Sequence, residues 1–198
     1  MNDEKWKRFL GLMPREIADR DRGDEDLSLP LGRGNLDYVA DCYKILDVGC
    51  GTGVAMNALR DAGKDVAGIT INPAEKEWGI KKYGEWIKDA VTIGDVHDLP
   101  YQDKSFDAVI LWEVLEHALA PLVLLWECNR VLKENGRMVV MVPHECYTNI
   151  ADHTIVTNHA QTRALLAHAG FNVEDFWDMT GQSGRYWCLK IRHIGGEK

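Results

Sequence analysis

The sequence has little of what marks secreted, membrane-bound or zinc-binding chains. Its five cysteines are an odd number with no CxxC pair, which argues against both a disulfide framework and a zinc site. No apolar run reaches the length of a transmembrane helix, and residues 1–5 do not begin an apolar signal-peptide core. We therefore expect free thiols, a reducing cytoplasmic location and no membrane contact.

Positive charge is also in short supply. The chain has 23 Lys and Arg against 31 Asp and Glu, a formal net charge of −8. Such a field repels a phosphate backbone, so nucleic acid is disfavoured as a partner unless a local basic patch overrides it. A length of 198 residues with 45% hydrophobic content suits one domain with a full core, and we predict a single domain over residues 1–198.

A glycine-rich turn is the most informative feature that is present. An apolar run at 45–48, interrupted by Asp47, reads as a buried strand, and a helical pattern opens at Val54. Between them, glycines stand at alternate positions: Gly49, Gly51 and Gly53. Glycine lets the backbone turn sharply and lets a ligand approach closely. Strand, glycine turn and helix together predict the start of a nucleotide-binding α/β unit, although a purely structural turn is the alternative.

The glycine spacing argues against a dinucleotide. The frame GxGxxG, which leaves a helix N-terminus open to a pyrophosphate, would need glycine at Val54 or Met56. The acid that holds the ribose of NAD is missing as well, because Thr70 stands 21 positions after Gly49. S-adenosylmethionine has no phosphate but carries a sulfonium and an amino group, which a carboxylate such as Asp47 suits.

Apolar runs and helical patterns alternate along the rest of the chain, which predicts a doubly wound α/β fold with a mostly parallel sheet covered on both faces. The predicted strands are 45–48, 65–70, 90–93, 106–111, 137–142, 172–179 and 186–193. The predicted helices are 53–62, 74–83, 121–132 and 161–169. We assign residues 35–198 to this Rossmann-like core.

Residues 1–34 differ from the core in pattern. Apolar side chains recur at helical spacing before a polar stretch rich in Gly and Pro: Trp6, Phe9, Leu10, Met13 and Ile17. We predict a helical segment followed by a loop. The apolar stripe is typical of core packing, and a lid over the cofactor is the second interpretation.

Several short motifs in order resemble the class I S-adenosylmethionine-dependent methyltransferases. They are residues 44–53, 94–95 with 99–101, 105–109, 114–117, 130–133 and 169–171, a resemblance that covers the chain from Lys44 onward. It implies seven strands with one antiparallel strand near the C-terminal edge of the sheet, S-adenosylmethionine as donor, and methyl transfer as the reaction.

The resemblance also implies cofactor contacts. Asp47 and the three glycines are expected to contact the methionine part, and Asp95 is expected to contact the adenine amino group. The alternative for Asp95 is a structural role in a turn. Thr70 occupies the position where many relatives hold the ribose with an acid. A Thr70 hydroxyl or the Asn72 amide would give a weaker bond, so we expect weaker donor binding, tightened by Thr70→Asp. We also place Val96 and Trp112 at the cofactor.

A cluster of chemically active side chains follows the fourth predicted strand. Glu113, Glu116 and His117 would share one face if this stretch were helical, and with His153 they would suit a divalent cation such as Mg²⁺, Mn²⁺ or Zn²⁺. The pattern resembles two metal-using branches of the family, but the Leu-Glu-His triplet also occurs in relatives without metal. His117 and His144 are the candidate bases, with a surface loop histidine as the alternative for His144.

Together these features predict a methyltransferase acting on a small molecule, with a hydroxyl acceptor slightly preferred. The acceptor pocket is expected from residues 1–34 and 143–158. A metal-independent N- or C-methyltransferase is the nearest alternative. A non-catalytic subunit that binds the cofactor or its product is another. The remaining histidines look peripheral: His97, His159, His168 and His193.

Overall fold

The computed structural model describes residues 38–143, 159–181 and 184–193, which build an α/β fold around one sheet. Its parallel strands are β1 (Lys44–Val48), β2 (Asp65–Thr70), β3 (Val91–Ile93), β4 (Phe106–Trp112) and β5 (Leu132–Pro143). Their order in the sheet is β3-β2-β1-β4-β5. The predicted Rossmann-like fold with a mostly parallel sheet is confirmed.

Two further strands extend the sheet beyond β5. They are β6 (Phe171–Gly181) and β7 (Gly184–His193), and β7 runs antiparallel to both β5 and β6. The sheet order is thus β3-β2-β1-β4-β5-β7-β6. Residues 182–183, in the predicted turn between these strands, lie outside the described residues.

Helices cover both faces of the sheet. They are α1 (Val54–Asp61), α2 (Pro73–Tyr83), α3 (Trp86–Ala90), α4 (Pro121–Val131) and α5 (His159–His168). The core on one face joins β1 and β4 to α4 and α5, while α1, α2 and α3 pack together on the other face. Within the described ranges, no helix is long and apolar enough to cross a membrane.

The predicted elements differ most from the observed ones in two places. The sequence pattern does not predict α3, because a helix of five residues is too short to show a helical period. The pattern also placed the start of β5 at Arg137, whereas the strand begins at Leu132 through a pairing with Phe106 before a register shift. The predicted segment 1–34 lies outside the described residues.

The strands β1 to β4 end at the same side of the sheet, which we call the carboxyl edge and define by residues 47–53, 70–75, 94–97 and 112–120. β1 and β4 are neighbours there, yet the chain leaves them for helices on opposite faces. Such a switch point opens a crevice where ligands bind in this class of fold.

Candidate cofactor site

The glycine turn after β1 has the backbone shape that the sequence predicts. Gly49, Gly51 and Gly53 have φ values of +75°, +52° and +84°, in the left-handed region that favours glycine. At Gly49 a Cβ atom would lie 2.4 Å from Val114 Cγ2, so a side chain there collides with the loop after β4. The turn is also tied to β2, since the Gly49 and Cys50 N–H groups both donate to the Ile69 carbonyl at 2.9 Å.

Asp47 lies at the end of β1 with only 4% of its surface exposed. Its neighbours across the sheet are Gly68 on β2 and Ile110 on β4, neither of which carries charge. Burial therefore raises the pKa of Asp47 from 3.8 to about 7. Within the described residues, its carboxylate receives no hydrogen bond and no ion pair. A buried carboxylate in this state is stabilised by a cationic ligand group.

A second carboxylate, that of Glu75, lies beside Thr70 at the end of β2. The Thr70 hydroxyl donates to Glu75 Oε2 at 2.8 Å, and it accepts from the Asn72 N–H at 3.2 Å. Glu75 lies in the first turn of α2, and its carboxyl group would be 3.9 Å from a Cβ atom at Gly51. Glu75 was not among the site residues predicted from the sequence. The available signal was an acid in the first turn of the helix that follows Thr70.

Asn72 has a different local role from the one expected of it. Its side-chain oxygen accepts from the Ala74 N–H at 3.0 Å and caps the N-terminus of α2. This bond uses the amide oxygen of Asn72. Asn72 therefore starts the helix that brings Glu75 back to the glycine turn.

Asp95 and Val96 follow β3, as the sequence analysis placed them. Asp95 Oδ1 accepts from the His97 backbone N–H at 2.9 Å and lies 2.7 Å from His97 Nδ1. The first bond is the turn geometry that was the alternative interpretation of this aspartate. Val96 is partly buried against the core below. Both residues lie at the carboxyl edge next to the end of β2, where Gly94 N–H donates to the Thr70 carbonyl at 3.0 Å.

The loop after β4 does not form the helix that would align the candidate metal ligands. Glu113 has a φ of 55°, in the left-handed region, and the chain then makes a short 3-10 turn over Leu115–His117. Residues 113–117 therefore do not form the helix on which Glu113, Glu116 and His117 would share one face. Of these three, Glu116 is buried, and its Oε1 lies 3.9 Å from His117 Nε2.

Residues 38–143, 159–181 and 184–193 contain no group of three side chains arranged to hold a metal ion. The expected further ligand His153 and the candidate base His144 lie outside the described residues. His117 remains the candidate base at the carboxyl edge, with 34% of its side chain exposed.

Trp112 ends β4 beside this loop. Its indole N–H is buried and finds no hydrogen-bond partner in the described part of the chain. The partly buried ring packs against the core on the α1 face, the face toward which Asp47 also points. A buried donor and a buried carboxylate, each without a partner among the residues that the structure describes, fit a polar ligand that carries both an acceptor and a cation.

Comparison with known proteins agrees with this geometry. Residues 46–140 match the family described as a methyltransferase domain. A probable S-adenosylmethionine-dependent methyltransferase of Mycolicibacterium smegmatis is 30% identical over 138 residues, which are 66% of this chain and 52% of that protein. The O-methyltransferase cnsE of Penicillium expansum is 33% identical over 173 residues, 77% of this chain and 62% of that protein. The chain thus spans about half to three fifths of these relatives.

Solved structures share the fold. A Burkholderia thailandensis 1,6-didemethyltoxoflavin-N1-methyltransferase superposes with a TM-score of 0.73 at 17% identity, covering 96% of this chain and 87% of that one. A methyltransferase from Archaeoglobus fulgidus gives a TM-score of 0.68 at 17% identity, covering 93% and 99%. With the glycine turn, the buried carboxylate and the family match, the chain belongs to the class I S-adenosylmethionine-dependent methyltransferases.

Proposed function

We propose that the protein transfers the methyl group of S-adenosylmethionine to a small-molecule acceptor. The observation that carries the proposal is Asp47, a buried carboxylate that has no cationic partner among the described residues and stands beside the glycine turn at 49–53. The donor supplies an electrophilic methyl group on sulfur. A lone pair of the acceptor forms the new bond as the carbon–sulfur bond breaks, which leaves S-adenosylhomocysteine. The chain contributes alignment of the two partners and exclusion of water.

The donor's parts distribute over the loops of the carboxyl edge. Asp47 holds the amino group of the methionine part, and the turn from Gly49 to Gly53 lets that part approach the backbone. Asp95 and Val96 contact the adenine. Trp112 lies within reach of the donor at the end of β4, where its buried N–H gains an acceptor.

The ribose carboxylate comes from α2 in this chain. Glu75 stands beside Gly51, and its bond from the Thr70 hydroxyl aims it over the glycine turn. A carboxylate there accepts from ribose hydroxyls as strongly as one on the strand end. With Glu75 in this role, we no longer expect weak binding of the donor. We also expect Thr70→Asp to lower the affinity for the donor and not to raise it.

The Thr70 substitution tests this ribose contact. Thr70→Asp puts a second carboxylate within hydrogen-bond distance of Glu75, so like charges repel and affinity for S-adenosylhomocysteine falls about tenfold by calorimetry. Thr70→Ser keeps the hydroxyl and serves as the matched control with wild-type affinity. Tighter binding by Thr70→Asp would return the ribose contact to the strand end.

The acceptor is a small molecule, and a hydroxyl acceptor is preferred. A hydroxyl must lose its proton during attack, and His117 stands at the carboxyl edge with a partly exposed ring that can take it. A relative at 33% identity is named an O-methyltransferase, which supports the same choice. A neutral amine needs no base before attack, so a metal-independent N-methyltransferase remains the second candidate.

The proposed setting is the cytoplasm, without nucleic acid as partner. Three buried cysteines, Cys42, Cys50 and Cys128, are free thiols, as a reducing compartment permits. The net charge of −8 opposes binding of a phosphate backbone.

A coupled assay for S-adenosylhomocysteine release tests the activity over hydroxyl, amine and carboxyl acceptors. We expect turnover with at least one acceptor class, and a loss of turnover in His117→Ala for hydroxyl acceptors with amine acceptors unaffected. Parallel reactions with EDTA, then with Mg²⁺, Mn²⁺ or Zn²⁺ restored, test the divalent cation. Binding of the donor without release of product from any acceptor would instead support a non-catalytic binding subunit.

A further inference from the structure

His97 bridges two loops of the carboxyl edge. Its Nδ1 lies 2.7 Å from Asp95 Oδ1, in the loop after β3. Its Nε2 accepts from the Ala120 backbone N–H at 3.3 Å, in the loop before α4. Because Nε2 is an acceptor, the proton of the neutral ring sits on Nδ1 and is donated to Asp95. The ring is therefore fixed at both ends, and its tautomer is set by Ala120.

The bridge determines how Asp95 presents its carboxylate. Oδ1 receives two hydrogen bonds from His97, one from the backbone N–H at 2.9 Å and one from the ring. These two bonds leave little freedom for the side-chain rotamer. Oδ2 accepts no hydrogen bond from the residues that the structure describes, and 17% of the Asp95 side chain is exposed. The fixed carboxylate thus directs its second oxygen away from His97.

We propose that His97 is a positioning residue that aims Asp95 Oδ2 at the exocyclic amino group of the cofactor base. This rests on the proposed function, in which Asp95 meets the adenine. An amino group donates to Oδ2, whereas the oxygen at the same position of hypoxanthine is repelled by it. His97 thereby increases the selectivity for adenine over hypoxanthine. Through Ala120, three positions after His117, it also ties the base-binding loop to the loop that carries the candidate base.

Paired ligands measure this choice directly. Calorimetry with S-adenosylhomocysteine and S-inosylhomocysteine gives a ratio of affinities that isolates the amino group. We expect wild-type protein to favour the adenosine ligand by roughly tenfold or more, the size of one charge-assisted hydrogen bond. His97→Ala should lower this ratio at least about threefold, because Asp95 then samples other rotamers.

Two conservative variants separate positioning from simple packing. His97→Asn places an amide N–H near the position of Nδ1, keeps the bond to Asp95 and loses the bond from Ala120. His97→Gln reaches the position of Nε2 and keeps Ala120 but not Asp95. We expect the Asn variant to keep the wild-type ratio and the Gln variant to resemble His97→Ala. His168→Ala, a surface change at a ring whose Nδ1 lies 2.7 Å from the Ala164 carbonyl of its own helix, is the matched control.

The outcomes distinguish this inference from the function beneath it. An unchanged ratio in His97→Ala, or equal ratios in the Asn and Gln variants, overturns the positioning role. A wild-type ratio near one overturns it as well, because Asp95 then does not read the amino group. Failure of the wild-type protein to bind S-adenosylhomocysteine at all would instead refute the proposed function. Should His97→Ala not fold by thermal melting, the comparison of Asn with Gln decides.

Discussion

An aspartate at each end of the parallel strands shows an opposite electrostatic environment. At the carboxyl edge, Asp47 is buried with no cationic partner in the described chain, and its pKa is raised to about 7 by that burial. At the opposite end, where β1 and β4 begin, Asp107 accepts from the Lys44 N–H at 2.8 Å, the Tyr43 N–H at 3.2 Å and the Lys133 ammonium at 2.6 Å. Burial alone would raise the pKa of Asp107, but these hydrogen bonds outweigh it and lower the pKa.

The amino end also contains a hollow of about 260 Å³, yet its charges satisfy one another. Arg137 pairs with Asp41, and Lys133 pairs with Asp107 across it. A concave shape by itself is therefore a poorer guide to function here than an unsatisfied group. At the amino end these charges have protein partners, whereas Asp47 at the carboxyl edge has none among the described residues.

The largest expected effect comes from Asp47→Asn. Without its charge the site loses the partner of the donor's amino group, so affinity for S-adenosylmethionine falls roughly 100-fold by calorimetry. The same change stabilises the ligand-free protein by about 1–3 kcal/mol at pH 8 in urea unfolding, because position 47 then no longer holds an ionised carboxylate in a buried site. Unchanged affinity would remove Asp47 from the site and end the contrast between the two ends.

The pH dependence of that stabilisation has a definite sign. Because burial raises the pKa of Asp47 from 3.8 to about 7, the native state keeps a proton that the unfolded chain has lost between these values. Stability of the ligand-free protein relative to Asp47→Asn should therefore fall as pH rises from about 4 to 7, and stay constant above. A relative stability that rises over this range would contradict the burial of an unpaired carboxylate.

At the amino end, the matching substitution Asp107→Asn should lower the stability of the protein, whereas Asp47→Asn raises it. Asp107→Asn loses the charge that Lys133 and two backbone N–H groups share, so the protein is destabilised by about 2 kcal/mol in urea unfolding near pH 7. Because its folded pKa is lowered, this contribution is present above about pH 4 and is lost as pH falls through the folded pKa. Donor affinity should stay at the wild-type value, and a matching loss of affinity would break the separation of the two ends.

The smallest effect is expected at Lys104, whose ion pair with Glu134 at 2.7 Å is largely exposed. Exposed pairs gain little because water and salt screen them. Lys104→Ala should leave both the melting temperature and donor affinity within experimental error. A clear loss of stability would show that exposed ion pairs near this end matter as well as the partly buried contacts of Asp107.

Local sequence patterns predict those parts of the carboxyl edge that are formed by residues adjacent in sequence. The turn from Gly49 to Gly53 and the placement of Asp47 follow from adjacent residues, since a strand, a tight turn and a helix leave few alternatives. The parallel strands follow from continuous apolar runs in the same way.

Local sequence patterns do not predict contacts between segments that are distant in sequence. Glu75 reaches the glycine turn only because α2 folds back along β2, and no spacing rule links it to Gly51. His97 looked peripheral because its partner Ala120 is distant in sequence. At Glu113 the helical expectation failed because the chain adopts a left-handed φ that a non-glycine residue takes only when its surroundings require it.

Proton release on ligand binding tests the central claim most directly. Calorimetric titration of S-adenosylhomocysteine at pH 6.5, repeated in buffers of different ionisation enthalpy, counts the protons exchanged. An ammonium beside Asp47 lowers the raised pKa of that carboxyl group, so we predict release of more than about half a proton per ligand and almost none in Asp47→Asn. Binding without proton release, or an equal release by Asp47→Asn, would contradict the account.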